Sequence, residues 1–223
     1  MPAPTVLVTG GAGFIGSAIV RRALSEGYAV RVLDDLSSGR RENLDGLEGV
    51  TFIEGSILDD GALEHAINAC DGVFHLAGQV SVARSIEEPE FTHAVNATGT
   101  MRVLQAASRH GVNRVVYSST CAGYGREASL PNREDAVLAP DSPYGASKVV
   151  GELYASAWTA SMGLEVFSLR YFNVFGPRQN PSGGYPAVIP IFIKRLLHSE
   201  PISIYGDGEQ TRDFVYVDDV AEA

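Results

Sequence analysis

The sequence predicts an α/β fold, a doubly wound parallel sheet followed by a smaller C-terminal segment. Three observations predict it. Short apolar runs alternate with helix-length patterns along most of the chain. The first of these runs ends in a glycine cluster that opens at once into an amphipathic stretch. From about residue 176 the alternation gives way to a loop-rich composition.

The first strand is Thr5-Val6-Leu7-Val8-Thr9, a β-branched run that stops at Gly10-Gly11-Ala12-Gly13-Phe14-Ile15-Gly16. Ile15, Ile19, Val20, Ala23 and Leu24 then recur at helical spacing. A strand, a tight turn and a helix N-terminus within two dozen residues leave backbone N–H groups unpaired at the positive end of a helix dipole, which suits a pyrophosphate. Gly10 permits the turn, Gly13 lets a diphosphate approach the backbone, and Gly16 lets helix pack on strand. Apolar runs at 30–33, 51–53, 72–76, 114–117 and 166–169 supply five further strands, with helical patterns near 59–69, 90–109 and 144–162 between them. Helices between strands imply a parallel sheet covered on both faces, a Rossmann-type domain over 1–175. Ligands in such sheets lie beyond the C-terminal strand ends. The positions of interest are therefore Gly10–Gly16, Asp34, Ser56, Ala77-Gly78, Ser118–Thr120 and Phe172-Asn173.

Gly176-Pro177, Asn180-Pro181-Ser182-Gly183-Gly184 and Pro186 mark a loop-rich start to the segment 176–223. A helical pattern (189–197), an apolar run (202–205), a Gly206-Asp207-Gly208 turn and a second run (214–217) follow. The last residues, 218–223, read as a helix just beginning, so the segment is expected to be a truncated substrate-binding unit.

At 223 residues, 45% hydrophobic and 20% charged, the composition is that of a folded globular chain. A net charge of −10 without a basic run excludes a general nucleic-acid binder. The first strand leaves no room for a signal peptide, and no apolar stretch is long enough to span a bilayer. Cys70 and Cys121 are too few and too unpatterned for a disulfide framework or a zinc site, and the five histidines show no metal-ligand spacing. The expectation is a soluble cytoplasmic protein without a metal.

Asp34 follows the second strand, 18 residues beyond Gly16, where a carboxylate can accept ribose hydroxyls and would repel a 2′-phosphate. NAD is thus favoured over NADP, with Arg40 and Arg41 nearby as the opposing signal. Tyr144 and Lys148 are four residues apart, on one face of a predicted helix. A free tyrosine titrates near ~10 and is a poor base. An adjacent ammonium favours the phenolate and makes it usable. Thr120 follows the fifth strand, at the ligand end of the same sheet. His75, inside the fourth strand, reads as a packed or hydrogen-bonded residue.

Together, Thr9–Gly16, His75-Leu76-Ala77-Gly78, Ser118-Ser119-Thr120, Tyr144 with Lys148, and the run Arg170-Tyr171-Phe172-Asn173-Val174-Phe175-Gly176-Pro177-Arg178 resemble the extended short-chain dehydrogenase/reductases, which act on nucleotide sugars. The resemblance implies a catalytic group of Thr120, Tyr144 and Lys148. It implies cofactor contacts at the glycine turn with Phe14 and Ile15, at Asp34 and Asp35, Ser56 and Ile57, Leu76, Ala77 and Gly78, and Phe172, and at Tyr144 and Lys148, which serve cofactor and chemistry alike. Asn173, Val188, Tyr205 and Arg212 would hold the sugar nucleotide, and Arg212 suits a diphosphate through paired charged hydrogen bonds. Related dehydratases and decarboxylases carry acids after the catalytic Thr/Ser, where this chain has Cys121 and Ala122. Neither can act as that acid–base pair. The chain therefore looks most like the UDP-hexose 4-epimerases, including those accepting N-acetylated sugars. Alternatives are another sugar-nucleotide oxidoreductase (a 4-ketoreductase or a decarboxylase) or a non-catalytic NAD-binding module. Ser56, Val80 and Gly123 depart from the family's usual residues. Helices carrying Val103, Leu104, Leu153 and Trp158 pair across a dimer in such enzymes, so a homodimer is expected.

Overall fold

The computed structural model describes residues 3–181 and 187–223. The predicted loop residues Ser182, Gly183, Gly184 and Pro186 lie outside them. Six strands form one parallel sheet: β1 (Thr5–Thr9), β2 (Ala29–Asp34), β3 (Val50–Glu54), β4 (Gly72–His75), β5 (Arg114–Thr120) and β6 (Glu165–Tyr171), in the order β3-β2-β1-β4-β5-β6. The order reverses between β1 and β4, which opens a crevice at their C-terminal ends.

Helices cover both faces. α1 (Phe14–Ser25) joins β1 to β2, and α2 (Asp60–Ile67) lies between β3 and β4. After β4 come α3 (Val82–Glu87), α4 (Pro89–His93) and α5 (Gly99–Arg109), while α6 (Pro143–Met162) links β5 to β6. Alternation along β1 divides the core: Val6 and Val8 pack with Ile19, Val20 and Ala23 of α1, whereas Leu7 packs with Leu63, Ile67, Val103 and Leu104 on the other side. Val103 and Leu104 are fully buried in this core, so of the four residues read as a dimer face only Leu153 is strongly exposed. Trp158 packs against the core edge and meets Tyr154 edge-on at 5.9 Å.

The helix expected at 90–109 is α4, a π-helical turn (Ala94–Thr98) and α5 in direct succession. Mid-helix π turns insert a residue and often mark functional positions. α3, capped by the Ser81 hydroxyl accepting from the Arg84 N–H at 3.2 Å, has too short a pattern to be read from sequence. α6 starts and stops as its sequence dictates: Ser142 caps Gly145 N–H at 3.1 Å, Pro143 occupies the first turn, and Gly163 ends it at φ +69°.

Beyond β6, β7 (Asn173–Phe175) pairs in parallel with β8 (Phe214–Tyr216). Between them stands α7 (Val188–Leu197), which buries no residue. The apolar run 202–205 has no regular structure, and Tyr205 is exposed. α8 (Val217–Glu222) packs against α1, with Val217 and Val220 buried. The segment thereby returns to the sheet domain at the helix that follows the glycine turn, and Arg178 Nε donates to Ser17 Oγ there at 3.2 Å. No helix among the described residues is long and apolar enough to cross a membrane.

Candidate active site

The turn after β1 is built backbone to backbone. Gly10 has φ +72°, and a Cβ there would stand 2.7 Å from the Ala77 nitrogen. Gly16 is tighter, since its Cβ would lie 2.1 Å from the Gly10 carbonyl oxygen. Gly13 differs: its backbone is ordinary (φ −75°, ψ 179°), and a Cβ would meet only the Gly10 oxygen, at 3.1 Å. The protein's own packing presses on a side chain at 13 less than at 10 or 16, and the space over the start of α1 is a second reason for glycine there. α1 begins there, with Phe14 and Ile15, without a side-chain cap and without an acid in its first turn. Its first N–H groups present a positive end to an approaching anion.

Asp34 closes β2 and braces this turn. Its Oδ2 accepts from Ala12 N–H at 2.9 Å and its Oδ1 from Leu36 N–H at 2.9 Å. Burial pushes its carboxyl above the usual range, and the two N–H bonds oppose that rise. A carboxylate has about four acceptor sites, so two bonds leave capacity for ribose hydroxyls. Asp35 is exposed and accepts from Ser37 N–H at 3.0 Å. After β3, Ser56 Oγ accepts from Leu58 N–H at 3.2 Å and Ile57 is buried. After β4, Leu76 N–H donates to the Thr9 carbonyl at 3.1 Å, and Ala77 and Gly78 follow against Gly10.

His75 fixes the base of this second turn as a neutral residue. Its Nδ1 lies 2.7 Å from Thr9 Oγ1 and its Nε2 3.0 Å from Thr100 Oγ1, while the Thr100 hydroxyl donates to the Asn96 carbonyl. Thr100 has thus used its proton and must accept from Nε2–H, which leaves Nδ1 to accept from Thr9. Burial, helped by the Lys148 charge, lowers His75 to about 3. Asn96, in the π turn, clamps the neighbouring loop: its Oδ1 accepts from Gln79 N–H, and its Nδ2 donates to the Gln79 carbonyl and to Ser147 Oγ of α6.

Thr120 ends β5, is 8% exposed, and its Oγ1 accepts from Ala122 N–H at 3.2 Å. The turn it caps lies against the start of α6, since a Cβ at Gly145 would meet the Ala122 oxygen at 2.9 Å. Gly123, unexplained by sequence, backs onto Val149 of α6, where a Cβ would stand 3.1 Å from Cγ2. Tyr144 and Lys148 follow one turn apart on α6. Lys148 is buried with its Nζ 4.5 Å from the centre of the Tyr117 ring, and Gly78 is its neighbour across the crevice. Burial lowers its ammonium to about 7, with Glu152 opposing. The structure therefore brings the catalytic candidates and the cofactor turns to one end of the sheet.

Lys148→Met is expected to raise the thermal midpoint of the ligand-free chain near neutral pH. The sign follows from linkage: the cost of the buried ammonium is full below about 7 and falls away as pH rises toward the ordinary 10.5, because the folded chain gives up the proton first. The gap between variant and parent should therefore narrow between about pH 7 and about pH 9.5, read by thermal melts.

Of the sugar-nucleotide candidates, the structure joins two. Asn173 Nδ2 donates to the Asp213 carbonyl at 2.9 Å, which ties β7 to the segment holding Arg212. That segment stands near Thr120's turn: burial first, and the Asp213 charge among the lesser causes, push the Cys121 thiol up. Arg212 is exposed, donates to the Thr211 carbonyl at 2.7 Å, and has no ion pair among the described residues. Val188, at the start of α7, and Tyr205 are exposed, and the Tyr205 carbonyl accepts from Gln210 Nε2 at 3.1 Å. Phe172 leaves β6 with its ring 6.3 Å from that of Tyr124.

Sequence reading missed Asn96 and the pair Glu152–Arg170. Arg170 Nη2 and Nε reach both Glu152 oxygens at 2.8–3.1 Å, and Ser119 Oγ donates to Glu152 Oε1. A carboxylate one turn past Lys148 on its own face was the available signal. Among the described residues no group of three His, Cys, Asp or Glu could hold a metal ion.

The uncapped α1 start, the unfilled space over Gly13 and the acceptor capacity of Asp34 fit a dinucleotide with a free ribose diol. Comparisons with known proteins agree. A model of the NAD dependent epimerase/dehydratase family matches residues 6–223. A UDP-glucose 4-epimerase of Mycolicibacterium smegmatis is 44% identical over 97% of this chain and 71% of its own length. The structure of a UDP-N-acetylglucosamine 4-epimerase from Methanobrevibacter ruminantium, in complex with UDP-N-acetylmuramic acid, superposes with a TM-score of 0.94 at 42% identity, covering 100% of this chain and 72% of that one. A dTDP-glucose 4,6-dehydratase from Streptomyces venezuelae, with NAD bound, gives 0.89 at 38% identity, covering 98% and 70%. With its glycine turn, its sheet order and its match along nearly the whole length, the chain belongs to the NAD-dependent epimerase/dehydratase family.

Proposed function

We propose that the chain catalyses redox-neutral 4-epimerisation of a UDP-hexose. The observation that carries this reading is Tyr144 and Lys148 beside the Thr120 turn, followed by Cys121 and Ala122 rather than by carboxylates. Residues 1–175 would hold NAD: Gly10, Gly13, Phe14, Ile15 and Gly16 at the diphosphate, Asp34 and Asp35 at the ribose, and Ser56, Ile57, Leu76, Ala77, Gly78 and Phe172 along the crevice. When bound, NAD supplies the hydride acceptor and donor for sugar C4. Tyr144, as phenolate, accepts the proton of the 4-hydroxyl and later returns it. The Lys148 ammonium favours that phenolate and binds the cofactor ribose. Thr120 hydrogen-bonds the same hydroxyl and aligns it with Tyr144. The 4-keto sugar turns over within the site before the proton returns, so the hydroxyl re-forms on the other face.

Segment 176–223, with Asn173, would grip the nucleotide through Val188, Tyr205 and Arg212. Arg212→Ala is expected to raise KM for the UDP-sugar about tenfold or more while leaving NAD affinity unchanged, as loss of a charged diphosphate contact should. Steady-state kinetics with a parallel NAD titration read the split. A homodimer through the exposed face of α6, where Leu153 is 65% exposed, completes the reading.

The second reading is a dehydratase, the activity named for the 38% identical Streptomyces venezuelae relative. Incubation with UDP-galactose, UDP-glucose and their N-acetyl forms separates the two. Interconversion of the 4-epimers without net NADH supports the proposal. A 4-keto-6-deoxy product, or carbon dioxide from UDP-glucuronate, would replace it.

A further inference from the structure

We propose that the part-buried Glu152–Arg170 pair is a positioning element of this site, which locks α6 against β5 and β6 one turn beyond Lys148 and sets the charge that Lys148 faces along its own helix. The inference rests on the reading of Tyr144 and Lys148 above for its place in the reaction.

The geometry builds the element from three directions. Tyr144, Lys148 and Glu152 succeed each other at intervals of four along α6, so they form one line facing the sheet. The register of the sheet sets Ser119 of β5 opposite Arg170 of β6, and Thr120 opposite Tyr171. Ser119 and Arg170 both bond the Glu152 carboxylate, Arg170 with a two-pronged guanidinium contact. Ser119 is the residue before Thr120, so the clamp grips the strand next to the catalytic hydroxyl. Arg170 is fixed in turn by the Tyr124 hydroxyl at 3.2 Å and the Glu134 carbonyl at 3.0 Å. The helix can come this close because residue 151 is glycine: a Cβ there would stand 2.3 Å from the Tyr117 hydroxyl oxygen, which itself donates to the Lys148 carbonyl at 3.2 Å.

The charge environment makes the pair matter to Lys148. From the sheet, the titratable groups facing its ammonium are His75 of β4, held neutral, and Tyr117 of β5, whose hydroxyl burial pushes above its ordinary range. Asn96 of the π turn, bonded to neighbouring Ser147, does not titrate. On α6 itself the neighbours are Tyr144 and Glu152. Burial works against the ammonium, and the charge that works for it is that of Glu152. Arg170, on β6, holds that carboxylate in place and carries the opposite charge.

Two signs follow. Glu152→Gln leaves a positive Arg170 without its partner and should lower the proton affinity of Lys148. Arg170→Met leaves the carboxylate unopposed and should raise it. The chain has only two lysines, Lys148 and Lys194, so carbon-13 labelling at lysine Cε gives two resonances whose pH titration can be followed by NMR on the ligand-free chain. We expect the Lys148 midpoint to fall by about half a pH unit or more in Glu152→Gln and to rise in Arg170→Met, with Lys194 unmoved in both. The paired variant Glu152→Leu with Arg170→Met leaves no orphaned buried charge and should fold where a single variant does not. Because Glu152 is the charge one turn from Lys148 on its own helix, the midpoint should fall, by less than in Glu152→Gln. An unmoved midpoint in Glu152→Gln, shifts of the same sign in both single variants, or an unmoved or raised midpoint in the paired variant overturns the proposal. A purely structural pair would alter melting temperature alone. The titration needs no turnover, so its failure is distinct from failure of the epimerase reading.

Discussion

Tyr144→Phe is expected to cut turnover of UDP-galactose by about a thousandfold or more, because on the proposed mechanism the variant keeps the ring and loses the group that carries the C4 hydroxyl proton. Lys148 and Thr120 remain in position, and the glycine turn is untouched, so NAD affinity should change little. Single-turnover assays with an NAD titration of the same sample read both quantities. Comparable turnover in the variant would mean that another group moves the proton. Loss of NAD binding along with turnover would instead place Tyr144 in the cofactor's grip rather than at the sugar.

The second large effect separates two glycines of one motif. Gly16→Ala puts a methyl 2.1 Å from the Gly10 carbonyl oxygen and 2.8 Å from Gly11 Cα, both backbone atoms that cannot swing away. It should cost about 3 kcal/mol of stability. For a chain of this size that is a fall in melting temperature of roughly 6–12 °C. Gly13→Ala meets only the Gly10 oxygen, at 3.1 Å, from an ordinary backbone conformation. It should lose under about 1 kcal/mol and still weaken NAD binding tenfold or more, since its methyl occupies the space over the α1 start. Calorimetry of both variants, with and without NAD, shows whether stability and binding divide between the two positions in this way.

What could be read in the sequence was whatever is local. The strand, glycine cluster and helix at residues 5–24 sit within one βα unit, and the spacing of Tyr144 and Lys148 needs only a helix to bring them onto one face. Asp34 is a mixed case. Its place after β2 was legible, but its bonds to Ala12 and Leu36 were not, because they depend on the turn packing back over the strand end. Glu152 and Arg170 are 18 residues apart and meet only once α6 and β6 are laid side by side. The same holds for Asn96, whose side-chain partners Gln79 and Ser147 lie on a loop and a different helix. Gly123 had no local reason at all and acquires one from Val149 of the packed helix. Val103 and Leu104 show the converse: apolar spacing alone does not distinguish a face turned to the core from one turned to a partner, and the core claimed both. β7 and β8, three residues each, exist through their pairing and carry no periodic signal long enough to read.

UDP-galactose carrying deuterium at C4, incubated with the NAD-loaded chain, tests the central claim most directly. The account predicts UDP-glucose with the deuterium still at C4 and no net NADH, since the hydride is lent and returned at one carbon. Deuterium found at C6 of a dehydrated 4-keto sugar, or a stoichiometric gain of deuterated NADH, would contradict it.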